Sequence, residues 1–363
     1  MTVSPTLSAA ASLLVALLMT TTASAAELLV LEKGSNTLAI IDPVALRVSA
    51  RVPAGPDPHE VIASSDGRRA YISNYGGEGS DLNFISVVDL TVRKPLPRID
   101  LGALHSAHGL DFQGGKLYFT AETNKVIGRY DPMTRKIDWV LGIGQDRTHM
   151  ILVAKDLEHI YTSNVTSGTI SIVRTQLRAQ GPPPRAGGPP RPPAGSPPPP
   201  GFGPRKVWEV TSIAAGRGSE GFDISPDGRQ IWAANAQDGT ITVIDVASMK
   251  ALETFPVAVA GANRLKFSLD GRHVLVTGLG AFGPAAQSGG NNLVVLDAGS
   301  HKLVKAFQLG GGSAGILMEP SGSRAYVAVN QGGKVVVIDL GTLLISGEIP
   351  ASQPDGMAWA EGD

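Results

Sequence analysis

The chain contains no cysteine. No disulfide can form, no thiolate can act as nucleophile or metal ligand, and covalent haem attachment is excluded. Strong charge of either sign is also missing. The formal net charge is -1 over 363 residues, so nothing in the overall field favours nucleic acid or an anionic membrane. Aromatic residues make up only 5%. No Gly-rich phosphate loop, nucleophile elbow or zinc-binding helix motif occurs in the sequence. Past the N-terminal segment, no apolar run is long enough to cross a bilayer.

The N-terminus carries a short apolar run, Ala9–Leu18, followed by small residues and an A-x-A pattern at Ala23-Ser24-Ala25. This predicts an export signal over residues 1–25, a mature chain from Ala26, and a periplasmic or secreted location. No Lys or Arg precedes the run, which departs from the usual basic start.

Glycine and proline are abundant, with 44 and 26 copies. They punctuate a repeat of roughly forty residues. A short β run ending in Asp recurs as Ile40-Ile41-Asp42, Val87-Val88-Asp89, Arg129-Tyr130-Asp131, Val243-Ile244-Asp245, Val295-Leu296-Asp297 and Val337-Ile338-Asp339, with Ile172-Val173-Arg174 as a degraded copy. A second element precedes most copies, best seen as Ser225-Pro226-Asp227-Gly228 followed by Gln230–Asn235. Asp-Gly between two alternating runs is the strongest short hairpin signal. Each unit therefore reads as four antiparallel strands, a to d, that cannot bury both faces alone and must pack radially into blades. The chain begins with strands b, c and d and ends with a lone strand a near Asp355–Ala360. The expected fold is all-β: a seven-bladed β-propeller over residues 26–363, closed by pairing the C-terminal strand with the N-terminal blade.

Tyr71-Ile72-Ser73-Asn74, Tyr161-Thr162-Ser163-Asn164 and Tyr326-Val327-Ala328-Val329-Asn330 resemble the signature of the YVTN-type β-propeller repeat. That resemblance implies the fold and says little about activity, since unrelated functions share it.

Residues 178–206 hold a Pro/Gly/Arg tract that lacks apolar side chains to bury and is expected to be a disordered insertion between strands c and d. A longer b–c loop, Asn74–Asn83, and an insertion, Gly278–Asn292, are expected at the opposite face.

The residue opening each strand a forms one column: Asp355, His59, His108, His149, Glu220, Asn263 and Ala314 in ring order. Strand a is innermost in a propeller, so this column should ring the mouth of the axial channel. Three of the seven histidines in the chain fall in it. Three imidazoles with nearby carboxylates match the ligand set of Zn, Cu, Fe or Ni. We expect His59, His108 and His149 as metal ligands, Glu220, Asn263 and Asp355 as ligand-binding partners, and Arg147, Arg264, Glu78 and Asp81 at the rim.

Other propellers look similar at this level. Nitrous oxide reductase carries axial histidines, but its cysteine-bearing copper domain has no counterpart here. Carotenoid oxygenases hold iron with four axial histidines, against three here. Virginiamycin B lyase and seven-bladed lactonases use axial His and Glu, and Pro58-His59-Glu60-Val61 is similar to a lactonase inner strand. Three functions follow as expectations: an exported propeller binding a small ligand or transition metal at the axial mouth, a metal-assisted lactonase, lyase or oxidoreductase using the same cluster, or a protein-interaction scaffold. A monomer is expected in each case.

Overall fold

The computed structural model describes residues 26–77, 79–179, 204–280 and 291–361. The expected export signal, Glu78, the central tract 180–203 and most of the Gly278–Asn292 insertion lie outside the described residues.

Twenty-eight strands form seven four-stranded antiparallel sheets. Blade 1 is composite: the C-terminal strand Pro354–Ala360 pairs with Glu27–Glu32, followed by Thr37–Asp42 and Arg47–Pro53. Leu28 faces Trp359 and Val30 faces Met357 across this junction, which closes the ring as expected. Blades 2 to 7 are contiguous in sequence. Their inner strands are Pro58–Ala63, Ala107–Gln113, Thr148–Val153, Ser219–Ile224, Ala262–Phe267 and Ser313–Met318.

The core is a set of seven seams, one between each pair of neighbouring blades. Strand b supplies both sides of its blade because alternate residues point to opposite faces. In blade 1, Leu29 and Leu31 pack toward blade 2 while Leu28 and Val30 pack toward blade 7. All four are fully buried, each stabilising the fold by about 1.5–3 kcal/mol. This explains why strands b read as nearly continuous apolar runs.

The recurrent Asp of strand c caps the c–d turn. Asp42, for example, accepts from the backbone N–H of Val44 and Ala45 at 2.9 Å. The Asn of strand b is also structural: Asn74 Nδ2 donates to the carbonyls of Ala54 and Pro56.

In blade 4 the c–d hairpin is long, Thr169–Ala179 against Pro204–Ala214, with Ala179 paired to Pro204. The ladder thus runs into the stretch whose composition suggested disorder from 178 to 206. Backbone pairing with an already formed partner strand outweighs local composition there. The strands c and d of this blade meet at the face opposite the histidine column.

Candidate functional site

In every a–b pair the register slips where strand a opens: between Pro58 and Val61, Ala107 and Leu110, Thr148 and Ile151, Ser219 and Phe222, Ala262 and Arg264, Ser313 and Gly315, and opposite Val30 and Glu32 in blade 1. A β-bulge re-aims the side chains it carries. The bulged positions include the whole column, His59, His108, His149, Glu220, Asn263, Ala314 and Asp355.

The residue after the column alternates in size. Gly356, Gly109, Gly221 and Gly315 occupy blades 1, 3, 5 and 7, while Glu60, Met150 and Arg264 occupy blades 2, 4 and 6. Each glycine lies against the next blade so closely that a Cβ would sit 2.4 Å from a backbone carbonyl, that of His149 in the case of Gly109. The glycines let the inner strands approach, and the large residues fill the space. A Gly109→Ala variant should lose about 3 kcal/mol of stability and weaken any ligand bound at His149. Denaturant unfolding checks this, and an unchanged midpoint would refute the close approach.

Three histidines converge. The ring centroids of His59 and His108 are 4.4 Å apart, and those of His108 and His149 are 3.5 Å apart. His108 is fully buried, and neither of its ring nitrogens has a hydrogen-bond partner. Burial, and then the neighbouring His149, hold its pKa well below the usual imidazole range. It is therefore neutral at physiological pH and offers a free lone pair.

His149 is bonded through Nδ1 to Glu122 Oε1 at 2.5 Å, and its Nε2 lies 3.5 Å from Glu220 Oε1. The other oxygen of Glu122 accepts from Tyr75 Oη at 2.6 Å. Burial raises the Tyr75 pKa, and adjacent Glu122 adds to it, so the phenol stays a donor. Burial opposes ionisation of Glu220, but the nearby His149, with Arg264 and Arg147, outweighs it and brings the carboxyl down to about 2.

His59 Nδ1 lies 2.6 Å from Lys33 Nζ and 2.9 Å from Asp355 Oδ2. Unprotonated at Nδ1 it accepts from Lys33; protonated there it donates to Asp355, the tautomer that frees Nε2 for a ligand. Lys33 also bridges Asp57 at 2.8 Å.

Arg264 is not at the rim. It is buried and reaches across the channel from blade 6 to blade 2, where Nη2 donates to Glu60 Oε1 at 2.9 Å. This bridge forms a floor below the histidines. Arg147 sits beside Glu122 at 3.6 Å, on a left-handed backbone with φ of 57°. Asn263 turns into the seam: Nδ2 donates to the Ala314 carbonyl and Oδ1 accepts from Thr277. The structure does not bring it to the cluster. Asp81 contributes its carbonyl to His105 and no side-chain bond to the cluster.

One ligand atom from each of His108, Glu122 and His149 lies within 4.8 Å of the others, and all three residues are buried. Ligands about 2.1 Å from zinc sit about 3.4 Å apart in a tetrahedron, so closing the set would require Glu122 to leave its hydrogen bond to His149 Nδ1. Lys33, Arg147 and Arg264 face Asp57, Glu60, Glu122, Glu220 and Asp355 in this region. Before the imidazoles are counted, carboxylates exceed cations by two (five against three), which favours a dication.

No family model matches the chain, and no curated protein does either. Solved structures match its fold. This is a β-propeller by likeness as well as by topology. A functionally unknown protein from Desulfotomaculum acetoxidans DSM 771 is similar at a TM-score of 0.69 and 13% identity, covering 93% of this chain and 99% of that one. A candidate 6-phosphogluconolactonase from Bacteroides uniformis ATCC 8492 gives 0.66 and 12%, covering 92% and 99%. The dihydro-heme d1 dehydrogenase NirN gives 0.60 and 16%, covering 91% and 74%. At such identities the likeness bears on the fold alone. The YVTN-type signature remains a resemblance of the repeat.

Glu122, Tyr75, Lys33 and Glu60 are absent from the column read in the sequence. A signal for three of them existed. The residue that follows strand b is Lys33, Tyr75 and Glu122 in blades 1 to 3, but Val165, Ala236 and Leu279 in blades 4 to 6. Its backbone N–H bonds to the residue two before the column, as Glu122 does to Ser106, which places it behind the histidines.

Farther down the channel, Asp111 accepts from the N–H of Val153 at 2.6 Å and of Phe112 at 2.7 Å. Burial raises its pKa from 3.8 to about 6 despite these bonds. The folded state therefore holds this proton between pH 3.8 and 6 while the unfolded state does not. The contribution of Asp111 rises as pH falls through 6 and is least favourable above it, by on the order of 2–3 kcal/mol. Removing the ionisation with Asp111→Asn should make the stability difference from the parent shift in the variant's favour between pH 4 and pH 7. Urea unfolding across that range measures it, and a pH-independent difference would contradict the shift.

Proposed function

We propose that this chain is an exported β-propeller that binds a transition-metal ion at the axial mouth through His108, His149 and Glu122, with His59 able to join as a further ligand. One observation carries the reading: His108 is fully buried, neutral, and unpartnered at both nitrogens. A buried polar group without a partner costs about 1–3 kcal/mol, and a metal ion supplies the missing acceptor for its lone pair. Zn, Cu, Fe and Ni all suit two imidazoles and a carboxylate. The nearby carboxylate Asp355 would then serve to orient His59 as an outer partner.

A second reading is catalysis at the same metal. Glu220 favours it, because this ionised carboxylate has His149 no nearer than 3.5 Å and Arg264 no nearer than 3.8 Å. With a metal held by His108 and His149, Glu220 would be the neighbouring carboxylate that accepts a proton, a role that would need the metal-loaded site to raise its carboxyl from about 2.

Stripping the protein with a chelator, adding zinc and measuring zinc content after gel filtration tests the first reading. About one equivalent should remain in the parent and none in a His108→Ala, His149→Ala double variant. Equal zinc in both, or none in either, would refute it. For the second reading, zinc-loaded protein should turn over members of an ester and lactone panel, and Glu220→Gln should lose turnover while keeping its zinc.

A further inference from the structure

Among the described residues, nine buried side-chain nitrogen or oxygen atoms lack a hydrogen-bond partner. Five of them are in the mouth cluster: both ring nitrogens of His108, His149 Nε2, Arg147 Nε and Arg264 Nη1. These five make two different demands. The lone pairs on one nitrogen of His108 and on His149 Nε2 can be satisfied by a metal ion, while the other His108 nitrogen carries an N–H that needs an acceptor. A guanidinium N–H can only donate, so no cation satisfies it, and it requires an acceptor oxygen.

The carboxylates already present do not meet that need. Glu122 is engaged by His149 and Tyr75. Glu60 accepts from Arg264 Nη2, which is a different nitrogen. Glu220 is 3.8 Å from Arg264 Nη1, beyond hydrogen-bond distance. Both arginines flank the same residue, His149: Arg147 Nε lies 3.6 Å from Glu122, on the Nδ1 side of that imidazole, and Arg264 Nη1 lies 3.8 Å from Glu220, on its Nε2 side. Arg264 is also buried within the channel, so bulk water does not relieve it.

We infer that the ligand completing this site is a small oxyanion, a carboxylate or phosphate group, bound to the metal and held by Arg147 and Arg264. The inference rests on the metal reading. It also sets an order of binding. Without a metal the cluster has two more carboxylates than cationic side chains, and an anion is repelled. With a dication in place that excess is cancelled, and the anion gains a metal bond and charge-assisted hydrogen bonds at once.

Calorimetry of zinc-loaded and chelator-stripped protein with acetate and with inorganic phosphate tests this, with zinc content measured on the same samples. At least one anion should bind the zinc-loaded protein tenfold or more tightly than the stripped protein, and the preferred probe tells carboxylate from phosphate. Arg147→Gln should weaken that binding about tenfold. Arg264→Lys, which keeps the charge opposite Glu60 but loses the second donor, should weaken it as well. Zinc-loaded parent that binds neither anion would overturn the inference and leave the metal reading standing. Equal anion binding with and without zinc, or binding indifferent to both arginine variants, would overturn it too. Failure of the parent to take up zinc would remove both readings together.

Discussion

Replacing His108 with leucine is expected to abolish metal binding and, at the same time, to make the metal-free protein more stable. The two effects have one cause. A fully buried imidazole with no hydrogen-bond partner is a cost to the fold, on the order of 1–3 kcal/mol for each stranded polar group. Leucine has similar bulk and no polar atom, so it removes that cost without opening a large cavity. The variant loses a ligand, and the loss in metal affinity should exceed the 10–100-fold typical of removing an outer-shell partner. In the parent, zinc at a thousandfold excess over Kd would raise stability by about 4 kcal/mol. Thermal melting with and without zinc measures both effects. A leucine variant that melts lower than the metal-free parent would mean that His108 is a structural residue with partners of its own.

Deleting residues 354–361 is expected to prevent folding to a soluble monomer. This strand forms the inner edge of blade 1, with Ala358 and Ala360 buried in the seam to blade 2. Trp359 Nε1 donates to the Met318 carbonyl of blade 7 at 2.7 Å, tying the closure to both neighbours. Without it, Leu28–Leu31 would present an apolar, unpaired strand edge, a template for aggregation. Asp355 would be lost as well, and with it one of the two partners of His59 Nδ1. Far-UV circular dichroism and gel filtration read the result. A deletion variant that stays monomeric and melts like the parent would show that the ring does not depend on this closure.

Much of the fold was legible because turns are local. Asp227-Gly228 and its relatives mark hairpins, and the Asp that ends strand c caps its own turn within three residues. The closure was legible because a lone final strand a needs a partner. The site was legible only in part. Strand pairing put His59, His108 and His149 in one column, but a β-bulge has no clear sequence signature, so which way each column residue points could not be read. Asn263 shares the column and turns into a seam, whereas Glu60, one position later, enters the channel. Arg264 meets Glu60 across 204 positions of sequence, a contact that depends on the curvature of the whole ring. Glu122 and Tyr75 were hidden for another reason. They follow strand b, where the repeat carries unrelated residues, and only their register with the histidine column makes them stand out.

The most direct test of the metal site is anomalous diffraction from crystals of zinc-soaked protein, recorded on either side of the zinc absorption edge. One peak is expected about 2 Å from nitrogens of both His108 and His149 and from a Glu122 oxygen. A zinc-soaked crystal with no peak at the mouth, or with its peak on surface histidines such as His159, would contradict it.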